Sequence, residues 1–518
     1  MFIDGRNIPR NTVVDTDLAI IGAGAAGITL AKEFSNSTTR VCLIESGGLE
    51  PDPDTQALYQ GEITGLSYPL GSSRLRYFGG STNHWGGWCR PLDAIDFERR
   101  AWVPNSGWPI SRNDLDRFYI RAQKLCETGP FKYDAMEYWS EKVGFEPMPF
   151  PGGAVDTRFF QFSTPTRFGK KYHKEIEGSI NIKTLLHSNV VEIEESRHTS
   201  DISRLHVATL QGSKFFVKAS VYILATGGIE NPRLLLVSNR VNSAGLGNGN
   251  DLVGRFFMEH PIIPELAKGV LLDLEVMPGI YRKSVRLEGT RVRPCLMPSE
   301  NFMRKKKLLN SLISFVPTKE YSAEGGIVPR FVEDPQDKDP NQAWEIALLN
   351  NMASHTTSFR KSEQDPLKAA RLSFGGNCEQ APNPESRITL SDQQDALGLR
   401  RTRLDWRLST EDKRSFRSNI MAIAASFGAR GDSRVKSLLS DNDVWPEINM
   451  WGNHHMGTTR MGDTEQNGVV DRNCQVFGLK NLYIAGSSVF TTSGAANPTL
   501  TLVALAVRLA DHIKSLKN

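Results

Sequence analysis

The run Asp17-Leu-Ala-Ile-Ile-Gly-Ala-Gly-Ala-Ala-Gly-Ile-Thr-Leu-Ala-Lys-Glu-Phe34, with Val41-Cys-Leu-Ile-Glu45 a short polar link later, decides the fold. Leu18 to Ile21 is an apolar run of strand type, and Gly22, Gly24 and Gly27 follow it as G-x-G-x-x-G. Apolar residues at helical spacing run on from Ile28, and a second apolar run, Val41 to Ile44, ends in Glu45. Each part has a physical task. Gly22 permits the tight turn, Gly24 lets a pyrophosphate approach the backbone, and Gly27 lets helix and strand pack closely. The first helical turn, with Ala25 and Ala26, turns free N–H groups and a positive dipole end toward phosphates. Glu45, with Ser46 behind it, is placed to hold a ribose through its hydroxyls. Strand, turn, helix, strand and acid in that order predict a dinucleotide-binding α/β unit.

Working outward, the bulk properties fit a large enzyme. A chain of 518 residues is long enough for two large interleaved domains with a sizeable core. Lys+Arg 62 against Asp+Glu 58 leaves +4, which gives no electrostatic case for nucleic acid or an anionic membrane. Cys42, Cys89, Cys126, Cys295, Cys378 and Cys474 stand without C-x-x-C spacing, so reduced thiols and a cytoplasmic location are expected. The N-terminus shows no charged-then-apolar leader pattern, and no apolar stretch is long enough to span a bilayer.

The dinucleotide unit is expected to be discontinuous, formed by residues 1–90, 170–255 and 450–518. Its second piece holds strand-like Ile182 to Leu186, Val190 to Ile193 and Val221 to Ala225, then Thr226-Gly-Gly-Ile-Glu-Asn-Pro232 and a helix from Arg233. Its third holds Asn481 to Ala485, Gly486, and a helix after Pro498. Residues 91–169 and 256–449 form a second domain. Alternation in Leu308 to Val316, Arg387 to Leu390 and Arg403 to Trp406 predicts a mostly antiparallel sheet with one wet face, and Thr410 to Phe427 reads as helix. Residues 319–341, rich in Gly, Pro and charge, read as a mobile loop, either a surface excursion or a lid.

Three further segments carry chemistry. Arg76-Tyr-Phe-Gly-Gly-Ser-Thr-Asn-His-Trp-Gly-Gly-Trp-Cys89 combines close backbone approach at Gly79, Gly80, Gly86 and Gly87 with hydrogen-bonding Ser81 and Asn83. It adds a ring nucleophile, His84, and a flat surface, Trp85, which together suit the edge of an isoalloxazine. A tight structural loop is the alternative. Asn453-His-His-Met-Gly-Thr-Thr-Arg-Met-Gly462 brings two adjacent histidines. A metal pair is unfavourable there, because neighbours cannot easily share one ion and no carboxylate or cysteine cluster stands by. In Gly494-Ala-Ala-Asn-Pro-Thr-Leu-Thr501, Asn497 reads as an N-cap, Pro498 as the first helical residue and Thr499 as the next. That helix start is an anion site, suited to the charge a reduced flavin gathers.

These segments together resemble the glucose-methanol-choline (GMC) family of FAD oxidoreductases over nearly the whole length. Asparagine at 497 is similar to the pyranose oxidase branch and the bacterial sugar and C-glycoside 3-oxidases. Cys378-Glu-Gln-Ala-Pro-Asn-Pro-Glu-Ser-Arg-Ile-Thr-Leu-Ser391 resembles a substrate-domain strand of that branch. The resemblance implies an FAD-binding Rossmann-like domain on a parallel sheet, interleaved with a substrate domain on a mostly antiparallel sheet with helices. It implies His454 and Asn497 as the catalytic pair, with His455 beside the substrate. Arg74, Val191, Ala225, Thr226, Gly227, Gly486 and Ser487 join the flavin contacts by the same carry-over. His84 falls where pyranose oxidases attach FAD covalently, but Asn83 precedes it where those enzymes carry threonine, so non-covalent FAD is expected.

The reading is an FAD-dependent oxidation of a secondary hydroxyl of a sugar or glycoside, with hydride to flavin N5 and reoxidation by O2 or a quinone-type acceptor. Glu379, Gln380 and Asn383 are the expected substrate wall, with no metal. The alternatives are a GMC enzyme for non-sugar alcohols, a flavin-bearing lyase, and a subunit serving a membrane-bound cytochrome.

Overall fold

The computed structural model describes residues 1–324, 330–332, 336, 339–355, 368–442, 445–446 and 450–516. The opening stretch folds as its residues require. Fully buried strand Leu18–Ile21 runs into helix Ala25–Glu33, and strand Val41–Ile44 lies parallel beside the first. A Cβ at Gly27 would stand 1.8 Å from the Gly22 carbonyl oxygen, so helix and turn close up only around a bare Cα. Gly22 sits at φ +101°, which glycine alone adopts freely.

A six-stranded sheet grows from this pair, in the order Phe2–Asp4, Ile182–Leu186, Val41–Ile44, Leu18–Ile21, Val221–Leu224, Leu482–Ile484, with every pairing parallel. Its strands come from well-separated stretches of chain, and helices on its faces bury them into one core. A ten-stranded, antiparallel second sheet is built around Pro261–Leu271, Lys368–Cys378, Ser311–Glu324, Thr290–Pro298 and Val155–Phe162. Helix Thr410–Ala429 covers it, and a separate core fills the space between.

Three expectations change. Residues 319–324 continue the strand Ser311–Glu324 rather than opening a loop, because that strand pairs Lys319 to Ser322 with Arg371 to Lys368; part of 325–341 lies outside the described residues. The helix expected from Arg233 spans Gly227–Val237, with Pro232 inside it. Proline lacks the N–H that would bond the carbonyl one turn back, and here Thr458 Oγ1 donates to that Gly228 carbonyl at 2.6 Å. The strands Arg387–Gln394 and Arg400–Asp405 form a separate small sheet with Glu62–Ile63. Among the described residues no helix is long and apolar enough to cross a membrane, and all six cysteines are free and buried.

The two glycines of the opening turn should separate in experiment. Gly27→Ala is expected to lower stability by about 1–3 kcal/mol, the usual range for overpacking, in a denaturant melt. A Cβ at Gly24 meets nothing within 4 Å, so Gly24→Ala should leave stability within about 0.5 kcal/mol.

Candidate active site

Both ends of the chain line one cavity of about 660 Å³. At one end lie Gly22, Gly24, Ala25 and Ala26, where helix Ala25–Glu33 begins with no side-chain cap. Glu45 is buried beside it. Its two oxygens accept the Ala23 and Gly47 N–H groups, each at 2.9 Å, which fixes the carboxylate at the strand end. Ser46, Ser188, Val190, Ala225, Thr226 and Gly227 continue the wall. Arg74, Arg76 and Arg233 gather around Glu230, and Arg233 also pairs with Asp395. Burial raises the Glu230 carboxyl, but the guanidiniums outweigh it and hold it down to about 2. Three cations thus face two anions. The Nε atoms of Arg74 and Arg76 are buried without a partner.

At the other end stand Gly80, Ser81, His84, Trp85, Gly86, Gly87, Gly486, Ser487, Asn497, Pro498, Thr499, His454 and His455. His454 is held by an antiparallel clasp. Met258 and Met456 exchange both N–H···O bonds at 3.0 Å, and Pro261 and Ile262 pair with Trp451 and Met450. Between these pairs the fully buried Glu259 accepts the His454 N–H at 2.9 and 3.1 Å, the His260 N–H at 2.8 Å and the Tyr68 hydroxyl at 2.5 Å. Burial pushes its carboxyl up to about 7. The His454 ring has Asn497 Nδ2 3.2 Å from Nε2 and His260 Nδ1 2.9 Å from Nδ1. Burial, with His260 and His455 adding to it, holds His454 well below the ordinary histidine range. His455 Nε2 lies 2.7 Å from the Tyr68 hydroxyl. That hydroxyl already donates to Glu259, so it accepts from His455, whose Nε2–H is thereby committed. Gly452 leaves room for the whole arrangement, since a Cβ there would stand 2.6 Å from His454 Nδ1.

Several expected site residues lie elsewhere. Glu379 is fully buried in an ion pair with Arg100 and also accepts the Asn310 N–H at 2.9 Å. Gln380 Oε1 accepts from the Glu259 N–H and Trp406 Nε1, each at 3.0 Å, and its Nε2 donates to the Arg407 carbonyl. Asn383 closes a local turn through the Glu385 and Ser386 N–H groups. Gln380 braces Glu259, and none of the three is among the lining residues. Val190, not Val191, lines the cavity, because successive strand residues face opposite ways. Gly79, at φ +98°, and Asn83, bonded to the Phe78 carbonyl, shape the loop behind the lining residues. Asn497 is not the helix cap. Helix Thr499–Ser515 follows Pro498 without a side-chain cap, and the Asn497 amide turns to His454 instead. Tyr68, Glu259 and His260 were missed by sequence reasoning; a Glu-His-Pro run entering an apolar strand was the only signal of the last two.

Residues 382–506 match the model of the GMC oxidoreductase family. Over that stretch the chain is similar to GMC oxidoreductases. The chain is 23% identical to a 2-methyl-1,2-propanediol dehydrogenase of Mycolicibacterium austroafricanum, over 96% of this chain and 95% of that one. It is 22% identical to a fructose dehydrogenase large subunit of Gluconobacter japonicus, over 97% and 98%. A stretch covering 29% of each chain is 31% identical to a C-glycoside 3-oxidase of Arthrobacter globiformis. In fold the structure is similar to the crystal structure of a pyridoxine 4-oxidase from Mesorbium loti, with TM-score 0.54 and 18% identity over 96% of this chain and 99% of that one. The family match and the full-length dehydrogenase relatives support an FAD-dependent oxidoreductase acting on CH–OH groups. The cavity fits the cofactor. It offers an uncapped helix start, open space at Gly24 and two unpartnered guanidinium nitrogens for an anion, with a flat loop of glycine and Trp85 at the far end.

Burial makes the oxidoreductase sensitive to acid. His260 is pushed down to about 4 and His455 to about 3. Below the ordinary value of 6.5 the unfolded chain takes up protons that these buried rings refuse, so their share of stability is lost as pH falls from there. Glu259 works the other way, because its raised carboxyl favours the fold as pH falls through about 7. His455→Phe removes one acid-sensitive ring. Its denaturation midpoint should drop less between pH 7 and pH 5 than that of the unchanged protein.

Proposed function

We propose that the enzyme oxidises a secondary hydroxyl of a sugar or glycoside to a ketone, with His454 as proton acceptor and Asn497 as its partner. The observation that supports this most is the 3.2 Å approach of Asn497 Nδ2 to His454 Nε2 at one end of the cavity. A substrate hydroxyl that displaces the Asn497 amide from Nε2 meets a neutral imidazole, which takes its proton as general base. Asn497 directs the same oxygen by a hydrogen bond, a positioning role. Bound FAD supplies the hydride acceptor, N5 of its isoalloxazine, and O2 or a quinone-type acceptor restores it. Gly22, Gly24, Ala25, Ala26, Arg74, Glu45 and Ser46 would hold its pyrophosphate and ribose. Gly80, Ser81, Trp85, Gly86, Gly87, Ser487, Pro498 and Thr499 would hold the ring end. Trp88, Ile262 and Asn453 line the same cavity as His454 and replace Glu379, Gln380 and Asn383 as the substrate wall. FAD is held without a covalent bond, and the six buried free thiols fit a reducing cytoplasm.

The sugar assignment draws on Asn497 and on the fructose and C-glycoside relatives. A small aliphatic diol is the second reading, favoured by the propanediol dehydrogenase matched over 95% of its length. Anaerobic mixing with hexopyranoses, glycosides, short diols and benzyl alcohol separates them. A hexopyranose or its glycoside should bleach the oxidised flavin band fastest, with oxidation at C2 or C3. Faster bleaching by a diol or an aryl alcohol would overturn the sugar reading. Acid precipitation should leave FAD in the supernatant; colour in the pellet would point to a bond through His84.

His454→Ala should slow flavin reduction by roughly 10²–10⁴-fold, the usual range for a general base, with FAD still bound. His455→Ala should cost less, because its Nε2–H is engaged by Tyr68. A reversed order in rapid-mixing experiments would transfer the role to His455.

A further inference from the structure

Three hydrogen bonds in a row leave His454 only one arrangement of protons. His260 Nε2 stands 2.8 Å from the Gly494 carbonyl oxygen. A carbonyl only accepts, so this nitrogen carries the proton. His260 is fully buried, and desolvation pushes it down to about 4, so its ring is neutral and its Nδ1 is a bare lone pair. His454 Nδ1 lies 2.9 Å from that lone pair. Two ring nitrogens so close need one proton between them, and only His454 can supply it. The His454 ring is neutral too, so its Nε2 is bare, and Nε2 is the atom beside Asn497. The Asn497 amide presents its NH₂ group there, as a bare Nε2 requires. The reverse order fails at its far end, where it would set an Nε2 lone pair against the Gly494 oxygen.

We propose that His260 is a positioning residue that fixes the tautomer of His454, donating to Gly494 and accepting from His454 Nδ1 so that Nε2 keeps the lone pair, which the Asn497 amide occupies here and a substrate hydroxyl takes over. This rests on the reading of His454 as the proton acceptor. Glu259 completes the device by holding the backbone N–H groups of both histidines, which sets the spacing of the rings. The bond also acts during turnover. When Nε2 takes the hydroxyl proton, His454 becomes an imidazolium whose Nδ1–H still points at His260. A hydrogen bond from a charged donor is roughly twice as strong as a neutral one. The contact therefore tightens as charge develops, which is the condition for lowering a barrier rather than only binding substrate. No further proton source enters this step. The proton moves from the substrate oxygen to His454 Nε2, and bound FAD would accept the hydride that leaves carbon.

The test uses the FAD-loaded enzyme and the substrate that bleaches it best. His260→Phe keeps a flat ring but has no acceptor, whereas His260→Gln restores an acceptor oxygen. Flavin reduction should slow at least roughly 10-fold in the Phe variant, and up to about 10⁴-fold, the penalty for a catalytic histidine in the wrong tautomer. Substrate affinity should stay within about twofold, and the Gln variant should recover most of the rate. In ¹⁵N-histidine-labelled enzyme, the resonances lost in His454→Ala should show a protonated Nδ1 and a bare Nε2. A Phe variant that reduces flavin at the full rate, a Gln variant as slow as a loaded Phe variant, or a protonated Nε2 on His454 would each overturn the proposal. The ¹⁵N measurement needs no His260 variant, so it decides even if those variants fail to fold. If instead His454→Ala keeps its rate, the base reading fails, whatever the tautomer.

Discussion

Sealing imidazole rings away from water without a facing counter-ion is the constraint on which the rest of the site depends. Such a ring stays neutral, because burial disfavours the charged form. A neutral ring has one donor and one lone pair, so its neighbours dictate its orientation and protonation together. The fold meets this condition with backbone. The clasp around Met258 and Met456 brings two distant stretches of chain into register. Glu259, buried between them, spends its oxygens on N–H and O–H donors and not on a cation.

The cavity joins this sealed end to an electrostatically different one. Strands Leu18–Ile21 and Leu482–Ile484 come from opposite ends of the sequence, yet both flank Val221–Leu224. The turn after the first opens one helix, and the loop after the last opens another, each without a side-chain cap. Helix starts carry partial positive charge, so both ends of the cavity favour electron-rich groups. The surplus guanidinium in the Arg74, Arg76 and Arg233 cluster adds to this at the end lined by Gly22 and Gly24.

Local chemistry was legible in the sequence, and long-range partnership was not. Gly22 and Gly27 declared themselves because a turn and a close approach are set by residues a few positions apart. Glu379 and Gln380 were read as a substrate wall because a polar residue on a strand looks the same whether it faces a ligand or a buried partner. The partner of Glu379 is Arg100, far away in the chain. Asn497 read as a cap for the same reason, since its real neighbour, His454, comes from another segment. Val191 in place of Val190 is the error that a period of two invites when a strand's inward face is unknown. Glu259 and His260 escaped because an acid and a histidine before a strand are unremarkable until the clasp folds them against His454.

Pro232 shows how local and global optima part company. Inside a helix proline stands about 3 kcal/mol behind alanine, so any redesign for thermal robustness would replace it first. The new N–H would share the Gly228 carbonyl with the Thr458 hydroxyl now bound there and compete with it. Thr458 ends the segment that carries His454 and His455, and a Cβ at Gly228 would stand 2.4 Å from the His455 carbonyl oxygen, so helix and segment touch along this edge. The flaw in the helix helps to moor the segment that carries His454, and a sturdier helix would loosen that mooring.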